Sequence, residues 1–223
     1  LKDYHTTYYH PSNALIQIYG QVEISRFLEK IDSYFSAYEK REIVIDQGVI
    51  DPVKPEDQVF EYPMEQGAGT ENASIINYGM VTNGVDQVDR MGLSMLESIL
   101  GDSASLLMTA MQEQFPGVSL SLSFEGDLAQ PCFFFEAEGL NAEDKDAFRQ
   151  TIDKSLTEMA KGVNAALVEA ALLTKQFEAF GRADSSAVGQ SLWRNTNAYW
   201  SVTGETDRFN SFLSALEQIE AKV

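Results

Sequence analysis

The sequence is poor in cysteine, histidine and basic charge, and it has no long apolar run. One cysteine, Cys132, rules out an intrachain disulfide. A structural zinc site of four cysteines, or of two cysteines and two histidines, is excluded by count. Cys132 lies in the apolar run CFFFEA and reads as a buried structural thiol rather than a nucleophile. No apolar stretch approaches the roughly 20 residues that cross a bilayer. The opening LKDYHTTYYHPSN is polar and aromatic, without the charged start and apolar core of a signal peptide. An initiator Met is also lacking, so the start of the gene product is expected upstream. The compartment stays open, with a cytoplasmic or other reducing one favoured. Lys and Arg number 16 against 34 Asp and Glu, a formal charge of -18. That balance argues against nucleic acid, whose phosphates need basic partners. Solubility explains it, or a wall that attracts basic peptides.

What is present suits a folded protein. The 223 residues allow one large domain or one and a half smaller ones, and 44% hydrophobic against 22% charged residues is enough for a real core. Residues 14–19, ALIQIY, are short, apolar and bounded by Pro11-Ser12-Asn13 and Gly20, the pattern of a buried strand. A helix from Val22 to Glu39 is predicted next, with Ile24, Phe27, Leu28, Ile31, Phe35 and Tyr38 on one stripe that a sheet must cover. Residues 42–57 carry Pro52, Pro55 and several acids without helical period, and read as a linker and domain boundary.

A second unit follows. Residues 58–64, QVFEYPM, predict a strand that Pro63 confines to an edge or a strand end. The Gly-rich turn EQGAGTEN leads into a second strand, ASIINYGMVTN. Asp86 is placed to cap a helix to Leu100, with Val88, Met91, Met95 and Ile99 on one side. Asp102 or Ser103 is expected to start another, stopped by Pro116-Gly117. Then VSLSLSF alternates, with Val118, Leu120, Leu122 and Phe124 on one face and three serines on the other. CFFFEAEGL returns with Phe133, Phe135 and Ala137 inward and Glu136 and Glu138 outward. Helices are expected from Asn141 to Lys161 (Phe148, Ile152, Leu156, Met159 in phase) and from Asn164 to Phe180. A less regular stretch, 186–202, is expected to be helical with two buried Trp. The last helix starts at Thr206 or Asp207 and carries Phe209, Phe212, Leu213, Leu216 and Ile219. The fold class is α+β, an antiparallel sheet with helices packed mainly on one face.

Candidate chemistry is thin. His5 and His10 are five apart on an irregular approach to a strand, with no glutamate in the place that a His-x-x-Glu-His helix requires, and His10 reads as a turn residue bonded to backbone. GxSxG is missing, and GAGTEN has no lysine to make a P-loop. Glu136 and Glu138 share a strand face, as an acid–base pair would, but a solvated face reads better. Glu143, Asp144 and Asp146 crowd a helix start, where acids favour the dipole. Trp193, Tyr199 and Trp200 read as core. No catalytic, cofactor-binding or metal-ligating residue is assigned.

The segment TYYHPSNALIQIYGQVEISRFLEKIDSYFSAYEK resembles the last strand and helix of the first, catalytic domain of insulinase-type (pitrilysin-like) zinc metallopeptidases, nearest their presequence-protease branch. Thr7, Tyr8, Tyr9, His10, Pro11, Ser12, Asn13, Tyr19 and Gly20 carry the match. MLESILGDSASLLMTAMQEQFPG is similar to the family's paired helices, and FFFEAEGL with the following helix to its later strand and helix. VEAALLTKQFEAFGRAD is similar to the family's long Glu-and-Phe helix, but Gly181-Arg182-Ala183 stands where Arg-Glu is expected. The match is weak beyond 185.

The resemblance implies that 1–41 ends a catalytic domain and that 58–223 is a second, non-catalytic unit of the same fold. In that family four such units close around a chamber, and zinc sits in the first, on His-x-x-Glu-His. The resemblance thus places the zinc ligands of a parent enzyme upstream of Leu1, and none here. The implied function is part of a zinc endopeptidase that degrades unstructured peptides, with this part structural and substrate-enclosing. Its partners would be peptide substrates and the remaining domains, with no nucleic acid or membrane; the chain alone is expected to be inactive. A dimer through the exposed face of 14–39 is a further expectation. The alternatives are a metal-free scaffold or assembly subunit of the same fold, and an acidic peptide-binding module.

Overall fold

The serine–leucine alternation of residues 118–124 builds the middle of the molecule. In the computed structural model, which describes residues 1–44, 53–67, 69–82, 85–180, 187–204 and 206–222, it forms strand β2 (Ser119–Glu125). β2 pairs antiparallel with β3 (Cys132–Leu140), and β3 pairs antiparallel with β1 (Ser74–Val81), in the order β1-β3-β2. The register puts Ile76, Ala137 and Leu120 in one row, Tyr78, Phe135 and Leu122 in the next, and Met80, Phe133 and Phe124 in the third. Side chains alternate faces along a strand, so these nine lie on one side. Phe135 and Ala137 are 1% and 0% exposed there.

Helices cover that side alone. α3 (Gln87–Gly101) begins with Asp86, whose carboxylate accepts from the Asp89 amide while Asp89 accepts from Asp86 in return. This reciprocal box satisfies two of the amides that a helix start leaves unpaired. Met91, Met95 and Ile99 are buried, with Val88 beside them, as their spacing requires. α4 (Leu106–Gln114) packs on α5 (Lys145–Met159). α6 (Ala165–Phe180) and α8 (Arg208–Glu220) pack on α3, and α7 (Val188–Thr203) on α8. Phe148 and Ile152 of α5 and Leu216 of α8 close the core. Each such buried side chain is worth about 1.5–3 kcal/mol in area removed from water.

Several expectations fail, each for want of a partner or a cap. Residues 14–19 form no strand: they run extended with Ile16 and Tyr19 exposed, because among the described residues no sheet edge lies beside them. α2 spans Ile24–Phe35, shorter than the predicted Val22–Glu39, and no residue of it is buried. The expected sheet does not cover its stripe, leaving Ile24, Phe27 and Leu28 exposed. Residues 58–64 have no regular structure and are unpaired, so the sheet has one strand fewer than predicted there. Of the linker reading 42–57, residues 42–44 and 53–57 have no regular structure, and 45–52 lie outside the described residues.

α4 starts at Ser105, not at Asp102 or Ser103. Asp102 turns its carboxylate to the Ala104 amide, while Ser105 Oγ accepts from the Met108 amide and donates to the Leu100 carbonyl at 2.8 Å. Asn141 caps a short 3-10 turn, Ala142–Asp144, from which α5 continues. Trp193 is 50% exposed and Trp200 half-buried, so the two buried tryptophans do not materialise; Tyr199 takes the buried place on α7. The side chain of Phe209, assigned to the last helix's stripe, lies outside the described residues.

Candidate functional site

Among the described residues, no helix covers the sheet's second face. Its rows are Ile75, Glu138 and Ser119; then Asn77, Glu136 and Ser121; then Gly79, Phe134 and Ser123. Phe134 lies against Gly79, where a β-carbon would still just fit. Phe134 and Ile75 are 42% and 47% exposed. Glu136 and Glu138 therefore sit on a solvated face, as their alternation indicates. They stand among serines, an asparagine and apolar side chains, with no Lys or Arg in these rows. The face can offer negative charge and flat apolar contact to a cationic ligand. Its apolar members went unnoticed in the sequence, although the odd-numbered positions of residues 75–81 already point away from the core.

One edge of the sheet is gripped by α3. The Phe124 amide of β2 donates to Glu97 at 3.1 Å. Two turns earlier, Arg90 donates to the carbonyls of Gly126 and Leu128 in the β2–β3 turn. Burial lowers the Arg90 pKa from its usual value, while Asp127 and then Tyr199 oppose that shift. Cys132 opens β3 opposite Glu125 and is 6% exposed. Burial, then the Glu125 charge, pushes its thiol pKa up, the reverse of what activates a nucleophile.

The histidines serve the backbone. His10 Nδ1 accepts from the Ser12 amide at 3.1 Å, capping the 3-10 turn Pro11–Asn13. Asn13 donates to the Tyr8 carbonyl, and Ser12 Oγ accepts from the Arg41 amide. The Arg41 guanidinium reaches back to the Thr6 and Thr7 carbonyls at the end of α1 (Lys2–Tyr8). Cations favour helix C-termini in this way. Desolvation, then the Arg41 charge, lowers the His10 pKa below 6.5. His5 stacks on Tyr9 at 4.5 Å. The His-Pro-Ser-Asn motif is thus a knot that ties α1 to the chain leaving α2. The role of Arg41 was not legible, because its partners are 34 and 35 residues away.

His10 does not fit a zinc ion, since its Nδ1 accepts from the Ser12 amide and the ring proton therefore sits on Nε2. Among the described residues no group of three or more His, Cys, Asp or Glu comes together to hold a metal. Nor is any helix there long and apolar enough to cross a membrane. Asp144, of the acidic run, accepts from the Asn141 amide in a capping box.

Comparison with known proteins is consistent with this arrangement. Residues 1–174 match the family described as Peptidase M16 inactive domain. A mitochondrial presequence protease of Xenopus tropicalis is 25% identical over 215 residues, 92% of this chain and 20% of that protein. Presequence protease 1, chloroplastic/mitochondrial, of Arabidopsis thaliana is 26% identical over 187 residues, 79% of this chain and 17% of its own length. The chain thus spans about a fifth of these relatives. A protease of Helicobacter pylori shares the fold, with a TM-score of 0.57 at 17% identity, covering 99% of this chain and 55% of that one. The non-catalytic character that the sequence indicates agrees with the family matched, and the chain belongs to the M16 peptidase family as one of its inactive domains.

Proposed function

We propose that the chain is a wall and brace of a zinc-dependent endopeptidase that encloses and degrades unstructured peptides, with the zinc held elsewhere in the parent protein. The observation that carries this reading is the uncovered sheet face bearing Glu136 and Glu138. A face that is flat, acidic and partly apolar suits an extended cationic peptide. Negative charge raises the local concentration of such a peptide and speeds its capture. Residues 1–41 are, in this reading, the end of the preceding catalytic unit. The exposed stripe of Ile24, Phe27 and Leu28 supports this, since it is an apolar surface awaiting a sheet. In isolation the same stripe is a place for two copies to pair.

The test is the double variant Glu136→Gln, Glu138→Gln in the intact peptidase. Charge steering of a mobile peptide weakens KM for basic peptides by several-fold, leaves kcat nearly unchanged, and fades in high salt. An unaltered preference for basic over acidic peptides would refute the wall reading. A gene product no larger than this 24.8 kDa chain would refute the parent enzyme itself.

A further inference from the structure

We propose that residues 58–64 are a strap that exchanges between the irregular course seen here and a fourth antiparallel strand on the free edge of β1. β1 pairs with β3 alone, and among the described residues no hydrogen bond reaches the other edge of its backbone. The β2 edge differs, because Glu97 takes the Phe124 amide there. Exposed edges of this length attract other chains unless something covers them.

The strap has what a covering strand needs. It is free of other regular structure, and Val59 and Phe60 stand 86% and 80% exposed, the largest apolar exposures among the described residues of this unit. Alternation puts one of these two on the face of Ile76 and Tyr78 once paired. The chain has already turned back: the Tyr62 hydroxyl donates to the Ala73 carbonyl, one residue before β1. Pro63 has no N–H, so the ladder ends at Tyr62.

An ion pair holds the strap away. Asp57 meets Lys145 at 3.1 Å, beside the start of α5, where β3 ends and β1 begins. Antiparallel pairing would carry Asp57 along β1 toward its far end. The ion pair and the fourth strand therefore exclude each other. The pair is exposed (71% for Asp57 and 45% for Lys145), so breaking it shifts the balance by only about two- to fivefold.

Hydrogen–deuterium exchange of the β1 segment tests this on the full chain, with α3 as the internal reference. Asp57→Asn is expected to slow β1 exchange about two- to fivefold relative to α3. Phe60→Pro, which removes a ladder N–H, is expected to speed it beyond the wild-type rate. Both positions are exposed, so neither change disturbs the core. β1 rates that stay unchanged in both variants, or that move in the same direction in both, would overturn the proposal.

Discussion

Ser105→Ala is the most informative single substitution for the core. Ser105 is fully buried, and its hydroxyl performs two tasks: it caps α4 at the Met108 amide and satisfies the Leu100 carbonyl. That carbonyl would ordinarily receive the amide four residues on, but the Ala104 amide is turned to Asp102. Losing a cap costs about 1 kcal/mol. Stranding a buried carbonyl adds about 1–3 kcal/mol. The sum is about 2–4 kcal/mol, or a fall in Tm of roughly 5–15 °C for a chain of this size. Asp86→Ala is the control, an exposed cap whose loss costs about 1 kcal/mol with nothing buried behind it. Urea unfolding at a shared slope reads both. A Ser105→Ala loss no larger than that of Asp86→Ala would refute the double role.

Three further outcomes follow from the packing of single residues. Iodoacetamide is expected to label Cys132 slowly in the native chain at mildly alkaline pH and fast in urea, because burial raises the thiol pKa and shields it; equal rates would mean that β3 opens readily. His10 has a native pKa below its unfolded value of 6.5, so the unfolded chain binds more protons between the two. The knot is therefore intact above 6.5 and is lost as pH falls through the native pKa, since a proton on Nδ1 ends its acceptance from Ser12; an NMR titration placing His10 above 6.5 contradicts this. Gly189→Ala drives a methyl into the Tyr19 ring that lies over Gly189, so residues 14–20 are expected to leave α7 and become more sensitive to limited proteolysis, with global stability little changed because Tyr19 is 57% exposed.

The parts legible in the sequence were those set by neighbours in sequence. The face assignments of Leu120, Leu122, Phe133 and Phe135 follow from a two-residue period, and the Asp86 cap from a box three residues long. Residues 14–19 have good strand composition, yet a strand also needs an edge to pair with, which no local pattern supplies. Asp102 and Ser103 looked as good as Ser105 for capping, and only the buried Leu100 carbonyl decides among them. Trp193 sits six residues before Tyr199, about 240° around the helix, so burying one turns the other outward. Of the candidate surface, Glu136 and Glu138 could be read as outward-facing. That no helix lies over them is a matter of topology.

The grip of α3 on β2 has a consequence for self-association. Glu97 takes the Phe124 amide of β2, and α3 packs against that strand, so an incoming strand is obstructed there. A sheet that accepts a neighbour on one side only can make pairs, but it cannot pass the pattern on. Fibre growth needs two open edges, and with Glu97 standing over the β2 edge an edge-to-edge union of copies is expected to stop at two.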